Sequence, residues 1–416
     1  MSGGTRRVGV SRRGGVSLRS PLAAARGLRL DAGDEGGLRR LAGTVLGALV
    51  LALGVVSSAH AAPGAEQLGW GQAVPISTPA PAWFTPALYQ RVIAAGPHGV
   101  PLSSVDRSPA GKGSPSGGGG GGSGPCLYSS GAAPSGSGVP STPSGVERPP
   151  VGLGPGTWLL SLFCTNVGGR SVPDGFAWCT ANFVFQNGSQ LGLGTAGHCA
   201  AKDALGSPVT AVVTPPPDVC ANGGSCEPGL YAIGTFKIAH NNGLGDDFAL
   251  ISLYPQFNSW VRPTMPVFGG PTGAYLGGLA GVPGQTVTAP GATVYTPAFS
   301  PAVVGHCGHG VVVGTGGTCR TSAGLFSSST WYAWYGASAP GDSGSGVEIV
   351  GDYAAPGNPV PAAADLTHII ILDATLSRSG HLSEGPDQPG MVAGTQMSKI
   401  LSIVGSSWTL VNGGAP

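Results

Sequence analysis

The sequence predicts an all-β fold for residues 151–416, with one helix near the carboxyl end. Short segments rich in β-branched and aromatic residues are separated by Gly, Pro and Asn, which is typical of an antiparallel sandwich or barrel. Convincing helical periodicity is confined to Gln396–Val404. The predicted strands are Trp158–Cys164, Trp178–Gln186, Val209–Thr214, Asp247–Leu253, Val311–Val313, Trp331–Tyr335 and Thr367–Leu372.

Composition separates this part of the chain from the residues before it. Residues 101–150 contain 13 Gly, 9 Pro and 12 Ser, and such a segment cannot bury enough apolar surface to offset the entropy of ordering it. We therefore expect residues 62–150 to form a disordered linker. A short helix at residues 86–95 fits between a capping Thr85 and Gly96, either as a transient helix or as a docking element.

The first 61 residues have the features of an export signal. Arg39 and Arg40 precede the apolar run 42–56, and small residues follow it, which predicts cleavage after Ala61. The run is shorter than the roughly 20 residues that span a bilayer. We expect a signal peptide over residues 1–61 and a secreted, extracellular protein with no membrane contact after cleavage. The alternative is an uncleaved anchor that holds the protein at the cell surface.

The charge distribution argues against nucleic-acid binding, and the cysteine content favours an oxidising compartment. The first 61 residues hold nine of the 20 basic residues and three of the 19 acidic ones, so the remainder is mildly acidic. That remainder lacks the basic surface of a nucleic-acid-binding protein. The eight cysteines form an even number, which suits disulfide bonds in an oxidising compartment.

Three short segments contain the residues of a nucleophilic hydrolase. A serine hydroxyl needs a base within hydrogen-bond reach, and an imidazole needs a carboxylate that fixes its tautomer. A Gly-rich turn at the serine lets backbone N–H groups bind the developing oxyanion, a role that we assign to Gly341 and Ser343. The segments are 193–199 with His198 as base, 245–253 with Asp247 as the orienting acid, and 339–347 with Ser343 as nucleophile.

In this order, the three segments resemble those of the chymotrypsin-like serine peptidases, especially the secreted bacterial streptogrisin and α-lytic branch. The resemblance covers roughly residues 158–410, mostly at the motifs. It implies two six-stranded antiparallel barrels with the catalytic residues in the cleft between them. It also favours Asp247 over its neighbour Asp246 as the acid, because Asp247 directly precedes the alternating strand 248–250.

The resemblance has departures and open points. Ser345 stands where the common pattern has a second Gly after the nucleophile's Gly, and no upstream segment matches the family's newly cut amino terminus. Asp342 is therefore expected to pair with an internal arginine, either Arg262 or Arg320. The family's primary pocket maps near Thr367, His368 and Gly394, where His368 either holds a substrate glutamate or packs within a strand.

The resemblance further implies a disulfide between Cys179 and Cys199 beside the catalytic histidine. Short loops suggest two more local pairs, which leaves a fourth that would attach the linker to the first strand. His306, Cys307 and His309 are too crowded for good tetrahedral metal coordination, so a disulfide turn is preferred there. The three further pairs are Cys220–Cys226, Cys307–Cys319 and Cys126–Cys164.

These features together predict a monomeric serine endopeptidase that acts on polypeptides through an acyl-enzyme and needs no metal or cofactor. An α/β-hydrolase is disfavoured because its catalytic residues follow a different chain order. The remaining alternative is a surface or binding protein that has a protease-like scaffold and does not cleave.

Overall fold

The computed structural model describes a set of segments that all belong to one compact unit, Ser58–Pro416. The predicted signal peptide, residues 106–148 of the linker and the strand predicted at Val311–Val313 lie outside them. The described residues are 66–68, 71–76, 80–81, 83–105, 149–167, 170–200, 205–221, 226–279, 286–289, 292–295, 302–308, 319–339, 341–351, 359–371 and 388–415.

Twenty strands are described, and all pairings between them are antiparallel. They are β1 (Glu66–Leu68), β2 (Gly71–Pro75), β3 (Val100–Pro101), β4 (Trp158–Val167), β5 (Arg170–Thr180), β6 (Val184–Asn187), β7 (Gln190–Thr195), β8 (Pro208–Val213), β9 (Gly229–Asn241), β10 (Asp247–Leu253), β11 (Thr286–Ala289), β12 (Ala292–Tyr295), β13 (Val303–Cys307), β14 (Cys319–Ser327), β15 (Trp331–Ser338), β16 (Gly346–Ile349), β17 (Ala362–Asp365), β18 (His368–Ile371), β19 (Gln388–Thr395) and β20 (Thr409–Leu410).

Helices are few and short. The α-helices described are α1 (Pro86–Ala95), α2 (Pro217–Ala221) and α3 (Met397–Val404), and the 3-10 helices are Gly96–His98, Leu102–Ser104, Gly197–Cys199 and Pro255–Trp260. No helix among the described residues is long and apolar enough to cross a membrane.

The strands form two sheets, each with an apolar cluster of its own, and a further cluster includes residues of both. The nine-stranded sheet runs β20-β6-β7-β10-β9-β8-β4-β5, with β3 added to β9. The eleven-stranded sheet runs β1-β2-β18-β19-β15-β14-β13-β16-β17, with the hairpin β11–β12 added to β14. The prediction of an all-β fold in two halves is confirmed. Each sheet exceeds six strands, in part because amino-terminal strands have joined it.

The helix expected near the carboxyl end is also confirmed. Helix α3 buries Met397, Ile400 and Val404, whose spacing of three and four residues places them on one helical face. They pack in a cluster with Phe248 of β10 and Ala362 of β17, which belong to different sheets. The helix therefore contributes to the core that both sheets share.

Within residues 62–150, which were expected to form a disordered linker with a short helix at residues 86–95, that helix is present and strands β1, β2 and β3 are also described. Helix α1 is capped by the preceding Thr85, whose Oγ1 accepts a hydrogen bond from the N–H of Leu88 (3.2 Å). Its buried residues include Tyr89, whose ring lies 5.1 Å from that of Phe176 and whose hydroxyl donates to the Pro208 carbonyl (3.1 Å). The helix is held by an aromatic contact on β5 and a hydrogen bond on β8, long-range partners that local composition does not reveal.

Three disulfides link described cysteines, and each joins a pair considered above. They are Cys179–Cys199, Cys220–Cys226 and Cys307–Cys319. The proposed pair Cys126–Cys164 involves Cys126, which lies outside the described residues.

Candidate active site

His198 lies in the 3-10 turn directly after β7. Gly197 permits this turn, because a Cβ atom there would lie 1.6 Å from the His240 carbonyl oxygen. The next residue, Cys199, is bonded to Cys179 of β5. A close backbone approach on one side and a covalent bond on the other thus fix the position of the imidazole.

Asp247 begins β10, and its carboxylate holds His198 at two points. Its Oδ2 lies 2.7 Å from Nδ1 of the ring, and its Oδ1 accepts the backbone N–H of His198 at 2.7 Å. The backbone of Asp247 exchanges hydrogen bonds with the Thr395 hydroxyl at 3.1 and 3.3 Å. Asp246, the alternative acid, lies instead in a half-buried surface pair with His240 and Lys399.

Ser343 lies in the turn between β15 and β16, and its Oγ is hydrogen-bonded to Nε2 of His198. The turn needs glycine at Gly341 and Gly344, whose φ angles are 91° and 87°. It is attached to β5, because the Ser343 carbonyl accepts the N–H of Thr180 (2.7 Å) and the Gly341 carbonyl accepts its hydroxyl (2.7 Å). Both sheets therefore contribute to the position of the hydroxyl.

The interaction between His198 and Asp247 opposes the effect of burial on the pKa of each group. Burial lowers the pKa of His198, but the charge and hydrogen bond of Asp247, with a hydrogen bond to the Ile76 carbonyl, raise it above 6.5 overall. Burial raises the pKa of Asp247, but His198 outweighs this and holds the pKa below its usual value. The pair therefore favours a carboxylate beside an imidazole that readily accepts a proton.

Asp342, next to the candidate nucleophile, pairs with Arg320 of β14. Nη1 of Arg320 lies 3.2 Å from Oδ2 of Asp342, and both side chains are buried. Nε2 of His306 lies 3.5 Å from the same oxygen. Arg262, the other candidate, pairs with Asp218 on the surface.

The residues expected in a substrate pocket are buried beside the cluster. His368 is fully buried, with Nδ1 at 2.7 Å from the Thr367 hydroxyl and 3.8 Å from Oδ2 of Asp247. Burial lowers the pKa of His368 to about 4, so it is neutral at pH 7. The backbone of Gly394 is closely approached, since a Cβ there would lie 1.5 Å from the Asp365 carbonyl oxygen.

Two residues at the cluster were not anticipated from the sequence. Ile76, far upstream, places its carbonyl oxygen 3.0 Å from Nε2 of His198. Asp365 is fully buried, and burial followed by the charge of Asp247 raises its pKa well above the usual value. An acid within the apolar run 362–366 was a usable signal for Asp365, whereas no local pattern marks Ile76.

Among the described residues, no group of three His, Cys, Asp or Glu side chains is arranged to hold a metal ion. Cys307, from the crowded His-Cys-His segment, is in a disulfide with Cys319. The side chains that the structure brings together at the cluster are the alcohol of Ser343, the imidazole of His198 and the carboxylate of Asp247.

No protein-family model and no curated protein sequence matches the chain. Solved structures to which it is similar include Thermobifida fusca protease A, at 16% identity over 63% of this chain and 98% of that chain (TM-score 0.32). A glutamic acid-specific serine protease that uses a histidine triad in substrate binding matches at 15% identity over 62% and 99% (TM-score 0.31). A chymotrypsin from Cellulomonas bogoriensis matches at 15% identity over 62% and 97% (TM-score 0.30).

Proposed function

We propose that the protein is a secreted serine endopeptidase that hydrolyses peptide bonds through an acyl-enzyme on Ser343. The observation that carries this proposal is the buried hydrogen-bonded series from the Ser343 hydroxyl through His198 to Asp247. Neutral His198 takes the hydroxyl proton as Ser343 attacks the substrate carbonyl, and Asp247 stabilises the resulting imidazolium. The proton then passes to the leaving amine, and water releases the acyl group by the same route.

The oxyanion of each tetrahedral intermediate is assigned to the backbone N–H groups of Gly341 and Ser343. The left-handed conformation of Gly341 supports this role, because a turn of this kind directs successive N–H groups to one side. Three disulfides among the described residues support a secreted location, since such bonds persist in oxidising compartments.

The proposal is tested with the secreted protein and a fluorophosphonate probe, together with hydrolysis of a mixed peptide library. Ser343→Ala should abolish labelling and lower hydrolysis by about a millionfold. Ser398→Ala is the matched control, because Ser398 is an exposed serine on α3. Equal hydrolysis by the wild type and Ser343→Ala would overturn the proposal. The mass of the secreted chain tests cleavage after Ala61.

A further inference from the structure

The strand β2 is an amino-terminal segment placed at the candidate active site. It pairs with β18 in antiparallel register, with Pro75 opposite His368 and Ala73 opposite Ile370. The pairing extends by one residue, because the N–H of Ile76 donates to the Thr367 carbonyl at 2.9 Å. The segment therefore lies along Thr367 and His368, two of the three residues expected in the substrate pocket.

The backbone of Ile76 ends this segment at the catalytic cluster. Its carbonyl oxygen lies 3.0 Å from Nε2 of His198, the nitrogen that also contacts Ser343. A carbonyl oxygen can only accept, so a hydrogen bond between Nε2 and the Ile76 carbonyl requires a proton on Nε2. An imidazole in that state cannot accept the proton of Ser343, so the contact opposes its action as a base.

The side chain of Ile76 is buried as well, at 2% exposure. It belongs to an apolar cluster of the eleven-stranded sheet that includes Trp334, Leu366 and Val392. This apolar pocket accommodates a β-branched aliphatic side chain, whereas burying a charged side chain in it would cost free energy.

We propose that Gly71–Ile76 is an internal ligand of the substrate groove, which takes an extended polypeptide with an aliphatic residue at the position of Ile76. This rests on the proposed function. Strand addition supplies affinity through backbone hydrogen bonds, and a pocket for one side chain supplies selectivity. The strand then competes with substrate and lowers the activity of the intact chain without abolishing it, because substrate must replace the strand and the Ile76 carbonyl must leave His198.

The test compares the full secreted chain with Ile76→Asp, which places a charge in the apolar pocket. The rate at which the fluorophosphonate probe labels Ser343 should rise by about tenfold or more, because a larger fraction of the molecules has a free site. Ile76→Gly, which removes the side chain without adding charge, should also raise the rate. Val151→Asp is the matched control at an exposed position (54%) and should label like the wild type.

A synthetic peptide with the sequence of residues 66–76 provides the second measurement. Added to Ile76→Asp, it should lower the labelling rate in a dose-dependent way, whereas the same peptide with Asp at its last position should have no effect. In a peptide library, Ile76→Asp should prefer Ile or Val over Glu directly before the cleaved bond.

The possible failures differ in what they contradict. Equal labelling of the wild type and both Ile76 variants, with no effect of the peptide, overturns the internal ligand and leaves the peptidase intact. A preference for Glu before the cleaved bond overturns the aliphatic pocket. If the variants keep the wild-type unfolding transition and none of them is labelled, the proposed function itself fails.

Discussion

At the scale of single residues, two neighbouring acids show what sequence reasoning can and cannot determine. Asp246 and Asp247 are the same residue type, and only the alternating strand pattern that begins at residue 248 favoured Asp247 as the acid. In the structure, Asp247 is fully buried against His198, whereas Asp246 is 28% exposed. The motif therefore identified the cluster, but the detailed contacts required the fold, because they depend on which side chain faces inward from β10.

Asp247→Asn should lower kcat by about 10⁴, because the amide cannot hold the imidazole tautomer that accepts the Ser343 proton. The loss of the carboxylate also removes the main influence that raises the pKa of His198. Activity needs neutral His198, so the acid limb of kcat/KM should move to lower pH in the variant. Asp246→Asn is the matched control and should keep the wild-type rate within about twofold, since Asp246 pairs with the surface residues His240 and Lys399 and such pairs contribute little. A similar loss in both variants contradicts the assignment.

At the scale of secondary-structure elements, local patterns predicted strands and helices but not their partners. The signals for α1 and α3 lie within each segment: a capping Thr85, a terminal Gly96 and an apolar face on Gln396–Val404. The pairing of β2 with β18 joins positions such as Ala73 and Ile370 across most of the chain. Such pairing depends on which sheet edge is open after the rest has folded, and no local pattern records that.

The ion pair between Arg320 of β14 and Asp342 of the turn before β16 leads to a stability prediction. Arg320→Met leaves the carboxylate of Asp342 buried without its cation, which should cost about 3–5 kcal/mol in the free energy of unfolding. Arg262→Met is the matched control, because its pair with Asp218 is largely exposed and should contribute about 0–1 kcal/mol. Urea denaturation measures both values. A loss in Arg320→Met no larger than in the control means that Arg320 does not stabilise the turn.

At the scale of the whole molecule, a chain with only 9% charged residues still buries several acids. Asp342 has a cation beside it, and Asp247 has His198. Glu348 of β16 differs from them: it is fully buried, and neither carboxyl oxygen has a hydrogen-bond partner among the described residues. Sequence alone predicted the all-β class and the motif residues, but an acid on a short strand is expected to be solvent-exposed, and only the fold shows that the backbone at Gly270 lies close to its carboxylate.

Glu348 should make the stability of the protein fall as pH rises. Burial raises its pKa in the folded state well above 4.5, so the folded chain retains a proton that the unfolded chain releases. Between the two pKa values, each pH unit should cost about 1.4 kcal/mol.

Glu348→Gln removes this dependence because the amide stays neutral. Its unfolding temperature should therefore match the wild type near pH 4 and exceed it at pH 7 to 8. Glu227→Gln, at an exposed glutamate, is the control and should follow the wild type throughout. Thermal unfolding across this pH range decides the matter, since a Gln variant that is less stable than the wild type at pH 8 would mean that Glu348 is ionised and stabilised in the folded protein.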